Sequence, residues 1–143
     1  MRRSSILVIA TGLGLLVGTA TAHHSFSSEF DSTKPVTLRG TVTRMEWINP
    51  HSWLHLDVTN EDGTVESWMV EAGPAGVLVR RGWTKDSIQP GIEVLVEGYQ
   101  ARDGSPRANG RDVTLPDGSR LFAGSTGPGA PPDETGPGES EQR

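Results

Sequence analysis

The chain has 143 residues, 13 basic and 18 acidic side chains, a formal net charge of −5 and no cysteine. Such an acidic balance lacks the basic footprint that nucleic acid requires, so no nucleic-acid partner is expected. Without cysteine there is no disulfide framework, thiolate nucleophile or cysteine-based zinc site.

In chain order, the first element is a secretory signal. Arg2 and Arg3 precede an apolar run from Ile6 to Val17, and Gly18-Thr19-Ala20-Thr21-Ala22 puts small residues at both positions a signal peptidase reads. The run holds 12 residues, short of the roughly 20 a membrane span needs. No second hydrophobic segment follows, so no membrane span is expected. The expected division is a signal peptide over 1–22, one small domain over 23–123 and a disordered Gly/Pro-rich acidic tail over 124–143. The expected location is periplasmic or secreted. Removal of the signal after Ala22 makes His23 the first residue, with His24 beside it.

Val36 to Trp47 reads as a long strand. Val36, Leu38 and Val42 share one face, but Met45 and Trp47 fall in the opposite phase. A slip of this kind marks a bulge, and Gly40 permits tight coiling. Asn49-Pro50 ends the strand. Ser52 to Thr59 and Thr64 to Glu71 alternate as a hairpin around Asn60-Glu61-Asp62-Gly63. Pro74 to Arg81 reads as a short helix stopped by Gly82, and Thr84 caps a following turn. Gln89-Pro90-Gly91 turns the chain into a strand from Ile92 to Tyr99. Asp103 to Gly110 reads as a loop, Asp112 to Leu115 as a fifth strand, and Arg120 to Ala123 as a last short segment.

Three strands, one helix and two strands, the first long and bent, predict an all-β fold: a small five-stranded OB-fold-like barrel with one short helix between strands three and four. A small β-sandwich is the alternative. OB-folds bind on a face flanked by the loops between strands one and two and between strands four and five. Those are Ile48 to His51 and Asp103 to Gly110 here. The candidate ligand contacts are Trp47, Asn49 and Trp53 around the first loop and Arg107 and Asn109 in the second. The competing role for Trp47, Trp53, Trp68 and Trp83 is to fill the core. For Arg80, Arg81, Arg102, Arg107 and Arg111 it is solvated surface charge, against an anion site.

The runs Ala22 to Phe26, Lys34-Pro35-Val36, Trp47-Ile48-Asn49-Pro50-His51-Ser52-Trp53, Arg80-Arg81-Gly82-Trp83, Val96-Glu97-Gly98-Tyr99 and Ala108-Asn109-Gly110-Arg111, with Asp31, carry a resemblance. They are similar to the bacterial exported family called domain of unknown function 6152, over nearly all of Ala22 to Gly124. The resemblance implies export and a small β-barrel. It implies no activity, and it supplies no catalytic residues.

The four histidines, His23, His24, His51 and His55, fall within one stretch of the chain. A free α-amine with the imidazole of His23 chelates Cu(II), and amine and imidazole nitrogens rank copper above other divalent first-row ions. The arrangement is similar to the histidine brace of exported copper proteins. The candidate metal ligands are His23, His24 and His51. In one extended strand His51 and His55 would lie roughly 13 Å apart at ~3.3 Å per residue, too far to share an ion. The competing roles are a frayed polar terminus for His23 and His24, and a hydrogen bond fixing the Asn-Pro turn for His51. There is no nucleophile elbow, His-Glu-x-x-His helix, phosphate loop or dinucleotide fingerprint. The expected role is therefore a non-enzymatic exported binding protein, with copper as the candidate ligand. The alternatives are a copper-dependent redox enzyme and a structural or assembly protein of the cell envelope.

Overall fold

A computed structural model describes residues 26–124, so the expected signal segment, His23 and His24, and the expected tail beyond Gly124 lie outside the described residues. The protein is mostly β. The elements are α1 (Phe26–Glu29), β1 (Phe30–Glu46), β2 (Ser52–Thr59), β3 (Val65–Ala72), α2 (Ala75–Arg80), β4 (Glu93–Ala101), β5 (Arg107–Thr114) and β6 (Arg120–Phe122). The strands form one sheet in the order β3-β2-β1-β4-β5-β6, with an additional pairing of β3 to β5. That added pairing is parallel; the others are antiparallel. The ladders β1–β2–β3–β5–β4–β1 thus return on themselves. Among the described residues no helix is long and apolar enough to cross a membrane.

β1 is long because it serves two neighbours. Its C-terminal half pairs with β2 and its N-terminal half with β4, and Gly40 is opposite Val58 on one side and Val94 on the other. A Cβ on Gly40 would stand 2.9 Å from the Asp57 carbonyl oxygen and 3.0 Å from Val58 Cγ2, so the crossing excludes a side chain. The register with β2 steps from Val42 to Arg44. Thr43 is the bulged residue, and the slip turns Met45 and Trp47 back onto the core.

Leu38, Val42, Leu54, Leu56, Val70, Val94, Val96, Ala108 and Val113 form the core, closed at one side by Leu78 of α2, Trp83 and Ile88. A separate cluster of Phe26, Phe30 and Ala101, with Tyr99 against it, lies on the other face of β4. The alternation of β4 sends Val94 and Val96 inward and Tyr99 and Ala101 outward.

The structure corrects several sequence expectations. Among the described residues there are six strands, because Arg120–Phe122 folds back to pair with Asp112–Thr114. The first strand starts at Phe30, and Pro35 is held within it opposite Tyr99. A four-residue α1 precedes it, too short to show a helical period. Arg107 to Gly110 is strand: Met69, Val70 and Glu71 pair with Arg107, Ala108 and Asn109. Its polar, glycine-rich composition is that of a loop, and pairing on both sides overrides it.

Candidate functional site

The register places side chains from every part of the circuit in one row. Glu46 is opposite Trp53, Trp53 opposite Glu71, Glu71 beside Asn109, and Asn109 opposite Tyr99. The neighbouring row holds Arg44, His55, Met69 and Arg107. On β2 and β3 the core takes Leu54, Leu56, Trp68, Val70 and Ala72. Alternation therefore turns Trp53, His55, Met69 and Glu71 to the outer face.

Glu71 is nevertheless buried, at 5% exposure. His51 stands over it, with Nδ1 3.0 Å from Glu71 Oε1. The Asn109 side chain hydrogen-bonds the same carboxylate. His51 ends the loop after the cis Asn49-Pro50 bond. The loop is fixed at Ser52, whose N–H donates to the Gly73 carbonyl (3.2 Å) and whose hydroxyl donates to the Ile48 carbonyl (3.2 Å). Burial pushes the Glu71 carboxyl up to about 7, and the charge of Glu29 adds to this; Arg107 and the Asn109 hydrogen bond pull the other way. When Glu71 is ionised, it accepts the Nδ1–H of His51, and the ring lone pair then lies on Nε2.

A second group borders this one. Arg107 Nη2 pairs with Glu29 Oε2 at 3.0 Å. The guanidinium carbon lies 5.8 Å from the Trp53 ring centre and 6.0 Å from that of Phe30. Arg102 donates from its backbone N–H to the Glu29 carbonyl (2.9 Å) and from Nε to the Ser27 carbonyl (2.7 Å). Phe26 meets Tyr99 edge-on, with ring centres 5.6 Å apart. The start of the described chain is thereby fastened to the hairpin between β4 and β5.

Of the sequence-derived candidates, the structure brings together His51, Trp53, Arg107 and Asn109. Asn49 is exposed on the same loop as His51. Trp47 packs on the core, its ring edge-on to Trp83 at 6.2 Å. Trp68 and Trp83 are core residues, with Trp83 Nε1 donating to the Phe122 carbonyl at 3.0 Å. His23 and His24 lie outside the described residues. His55 is on the same face but serves another pair, with Nε2 3.3 Å from Glu46 Oε1 and 3.2 Å from Arg44 Nη2. Elsewhere the buried Asp112 accepts from Arg111 Nε (2.9 Å) and Arg120 Nη2 (3.1 Å). This ion network holds β6 to β5.

Sequence reasoning missed Glu71 and Glu29. The signal for Glu71 was a lone carboxylate between Val70 and Ala72, at the end of a strand. Its burial follows from register, which no local pattern supplies. Chemically, the group offers an oriented imidazole, a buried carboxyl, an amide and a guanidinium over an indole face. No set of three or more His, Asp or Glu side chains among the described residues is arranged to hold a metal ion.

The profile of a family of unknown function, DUF6152, matches residues 13–110, and the chain belongs to that family. No curated protein and no solved structure matches the chain.

Proposed function

We propose that this chain is an exported small binding protein, periplasmic or secreted, built as an OB-fold-like barrel that binds copper(II) through its mature amino terminus. In this reading cleavage after Ala22 frees the α-amine of His23. That amine and the His23 imidazole form a chelate, His24 stands beside it, and Nε2 of His51 is the remote ligand. One observation carries the reading: the 3.0 Å contact between His51 Nδ1 and the buried Glu71 carboxylate. Histidines that ligate metals characteristically give their other ring N–H to a carboxylate, which fixes the tautomer and makes the ligating nitrogen more basic. Asn109 in turn steadies Glu71.

The closed circuit of five strands and the parallel β3–β5 pairing support the barrel. The cluster draws on the loop between β1 and β2 and on the start of β5, the region an OB-fold uses for ligands. The amine and imidazole donors favour copper over zinc. Calorimetric titration of the exported, processed protein with Cu(II) and Zn(II) tests this. Copper is expected to bind more tightly, and His51→Ala to weaken it. A processed protein with no affinity for Cu(II) ends the reading.

A further inference from the structure

We infer that the outer face of β1, β4 and β5 is a binding groove for a neutral saccharide chain, a site separate from the copper reading and from the corner at Glu71. Leu38, Val94 and Val96 point into the core. Alternation therefore turns Thr37, Arg39, Leu95 and Glu97 outward. Arg39, Leu95 and Thr114 form one row across the three strands, and Thr37, Glu97 and Asp112 form the next. Neighbouring rows on one face are roughly 7 Å apart.

Two clefts of the same make-up lie along these rows. The first is lined by Pro35, Thr37, Glu97, Tyr99 and Arg111 and holds about 70 Å³. The second is lined by Arg39, Glu93, Leu95, Thr114 and Pro116 and holds about 300 Å³. Both combine an arginine and a glutamate with a threonine hydroxyl, a proline ring and an apolar wall. In the first, the register passes from Glu97–Asp112 to Gly98–Gly110, so Arg111 is the bulged residue of β5. A bulge re-aims a side chain. Arg111 Nε donates to the buried Asp112 carboxylate at 2.9 Å, which sets the guanidinium plane. Its Nη2 stands 3.7 Å from Glu97 Oε1, beyond hydrogen-bonding distance, while Arg120 holds the other Glu97 oxygen at 2.7 Å. A donor and an acceptor thus stand side by side at this cleft. In the second, Arg39 and Glu93 pair at 3.0 Å with side chains 68% and 62% exposed. Solvent screens that attraction, so a ligand displaces it at little cost.

Charge, chemistry and topology give the ligand class. Each cleft carries one arginine and one glutamate, which matches neither a polyanion nor a polycation. A sugar hydroxyl both donates and accepts, so two neighbouring hydroxyls satisfy a carboxylate and a guanidinium together. The Tyr99 and Leu95 walls take the apolar C–H faces of the rings. An extended peptide would seek an unpaired strand edge, and β4 is paired on both sides. The larger cleft reaches the lower end of the small-molecule range. The smaller has room for roughly five waters, enough for the edge of a ring. One set of groups repeated in adjacent clefts fits a chain of repeating units held at two points.

The test titrates isotope-labelled, metal-free protein and follows the backbone amide shifts. Maltohexaose, cellohexaose and the hexamer of N-acetylglucosamine are the neutral probes; hexagalacturonate and an uncharged Gly-Ser hexapeptide are the contrasts. At least one neutral hexamer is expected to move the amides of 35–39, 93–99 and 111–116, and the matching disaccharide to bind about tenfold more weakly or worse. Arg39→Ala and Arg111→Lys are each expected to weaken the hexamer about tenfold, with the melting midpoint of Arg39→Ala unchanged. No shift at these residues with any neutral hexamer overturns the proposal, and so do shifts confined to Trp53 and His55. Tighter binding of hexagalacturonate or of the peptide, equal affinity for the disaccharide, or wild-type affinity in both variants overturns it as well. The protein is metal-free throughout, so none of these outcomes bears on the copper reading.

Discussion

Nδ1 of His51 and Oε1 of Glu71 lie 3.0 Å apart, although one residue ends a loop and the other sits mid-sheet beside β5. The contact gives a buried carboxylate a partner and gives an imidazole a fixed orientation. Both consequences are measurable.

The first concerns stability and pH. The Glu71 carboxyl is raised from 4.5 to about 7 in the folded protein. A raised value favours folding fully below the unfolded value and loses that contribution as pH rises through the folded one. The metal-free protein is therefore expected to lose stability between about pH 4.5 and pH 7, by on the order of 3 kcal/mol from this group. Glu71→Gln keeps the shape and an acceptor for His51 but cannot ionise. Denaturant titrations at pH 5 and pH 8 should show the variant gaining on wild type at the higher pH. A difference that is the same at both pH values contradicts the assignment.

A second prediction concerns the backbone beneath Asn109. A Cβ on Gly98 would stand 2.2 Å from the Asn109 carbonyl oxygen and 3.2 Å from Gly110 Cα. Only a shift of one strand relieves that clash. Gly98→Ala is expected to cost about 1–3 kcal/mol, as overpacking does. Gly76→Ala, at an exposed position in α2 whose Cβ would meet only Arg80 Nη1 at 3.6 Å, should raise stability by about 0.5–1 kcal/mol. Thermal melts of the two variants with opposite signs of shift confirm the pair; a stabilised Gly98→Ala rules the packing out.

How much of this was legible in the sequence follows from what each feature depends on. The bulge in β1 was readable because the apolar phase changes between Val42 and Met45, a local signal. The hairpin of β2 and β3 was readable from alternation and its turn. Arg107 and Asn109 were read as residues of a loop beside the first loop, whereas they lie in β5 next to β3. Their strand exists because β3 and β4 both pair with it, and no residue between 107 and 110 has strong β preference. Glu71 and Glu29 escaped because an acidic side chain is solvated by default. The register that sets Trp53, Glu71 and Asn109 side by side covers Glu71, and Glu29 pairs with Arg107, far along the chain.

The third prediction comes from a repeated hydrogen-bond motif. Asp31, Asp62, Asp103 and Asp117 each accept the backbone N–H and the hydroxyl of the Ser or Thr two residues on, with hydroxyl distances of 2.6–2.7 Å. These hydrogen bonds hold all four carboxyls below the ordinary value of 3.8. A lowered value gives stability that is present above the unfolded value and is lost as pH falls through the folded one. The melting midpoint is expected to fall below about pH 4, in the window the four carboxyls share. Replacing all four by Asn keeps the acceptor oxygen without the charge and should flatten the profile between pH 4 and pH 2. Parallel profiles for wild type and the fourfold variant would show that these hydrogen-bonded carboxyls contribute nothing to acid lability.

The last prediction isolates the amino terminus from the histidines. The copper reading gives the α-amine of His23 a place among the ligands, and that amine exists at this position only after cleavage following Ala22. Adding one Met before His23 leaves all four imidazoles unchanged and moves the amine one residue away. The six-membered chelate formed by the amine and its own imidazole side chain is lost, so Cu(II) binding should weaken more than with any single histidine variant. His51→Ala should weaken it less, because His24 and the amine remain. His55→Ala should weaken it least, since that ring is engaged by Glu46 and Arg44. Ligating nitrogens must be deprotonated, so in the processed protein binding should also fall as pH drops through the imidazole range near ~6.5. Mass spectrometry of the exported protein fixes its first residue, and calorimetry on the four forms gives the order of affinities. Equal affinity with and without the added Met would show that the amine is no ligand. His23 and His24 would then be a polar chain end, and His51 a ring held by Glu71 for structure alone.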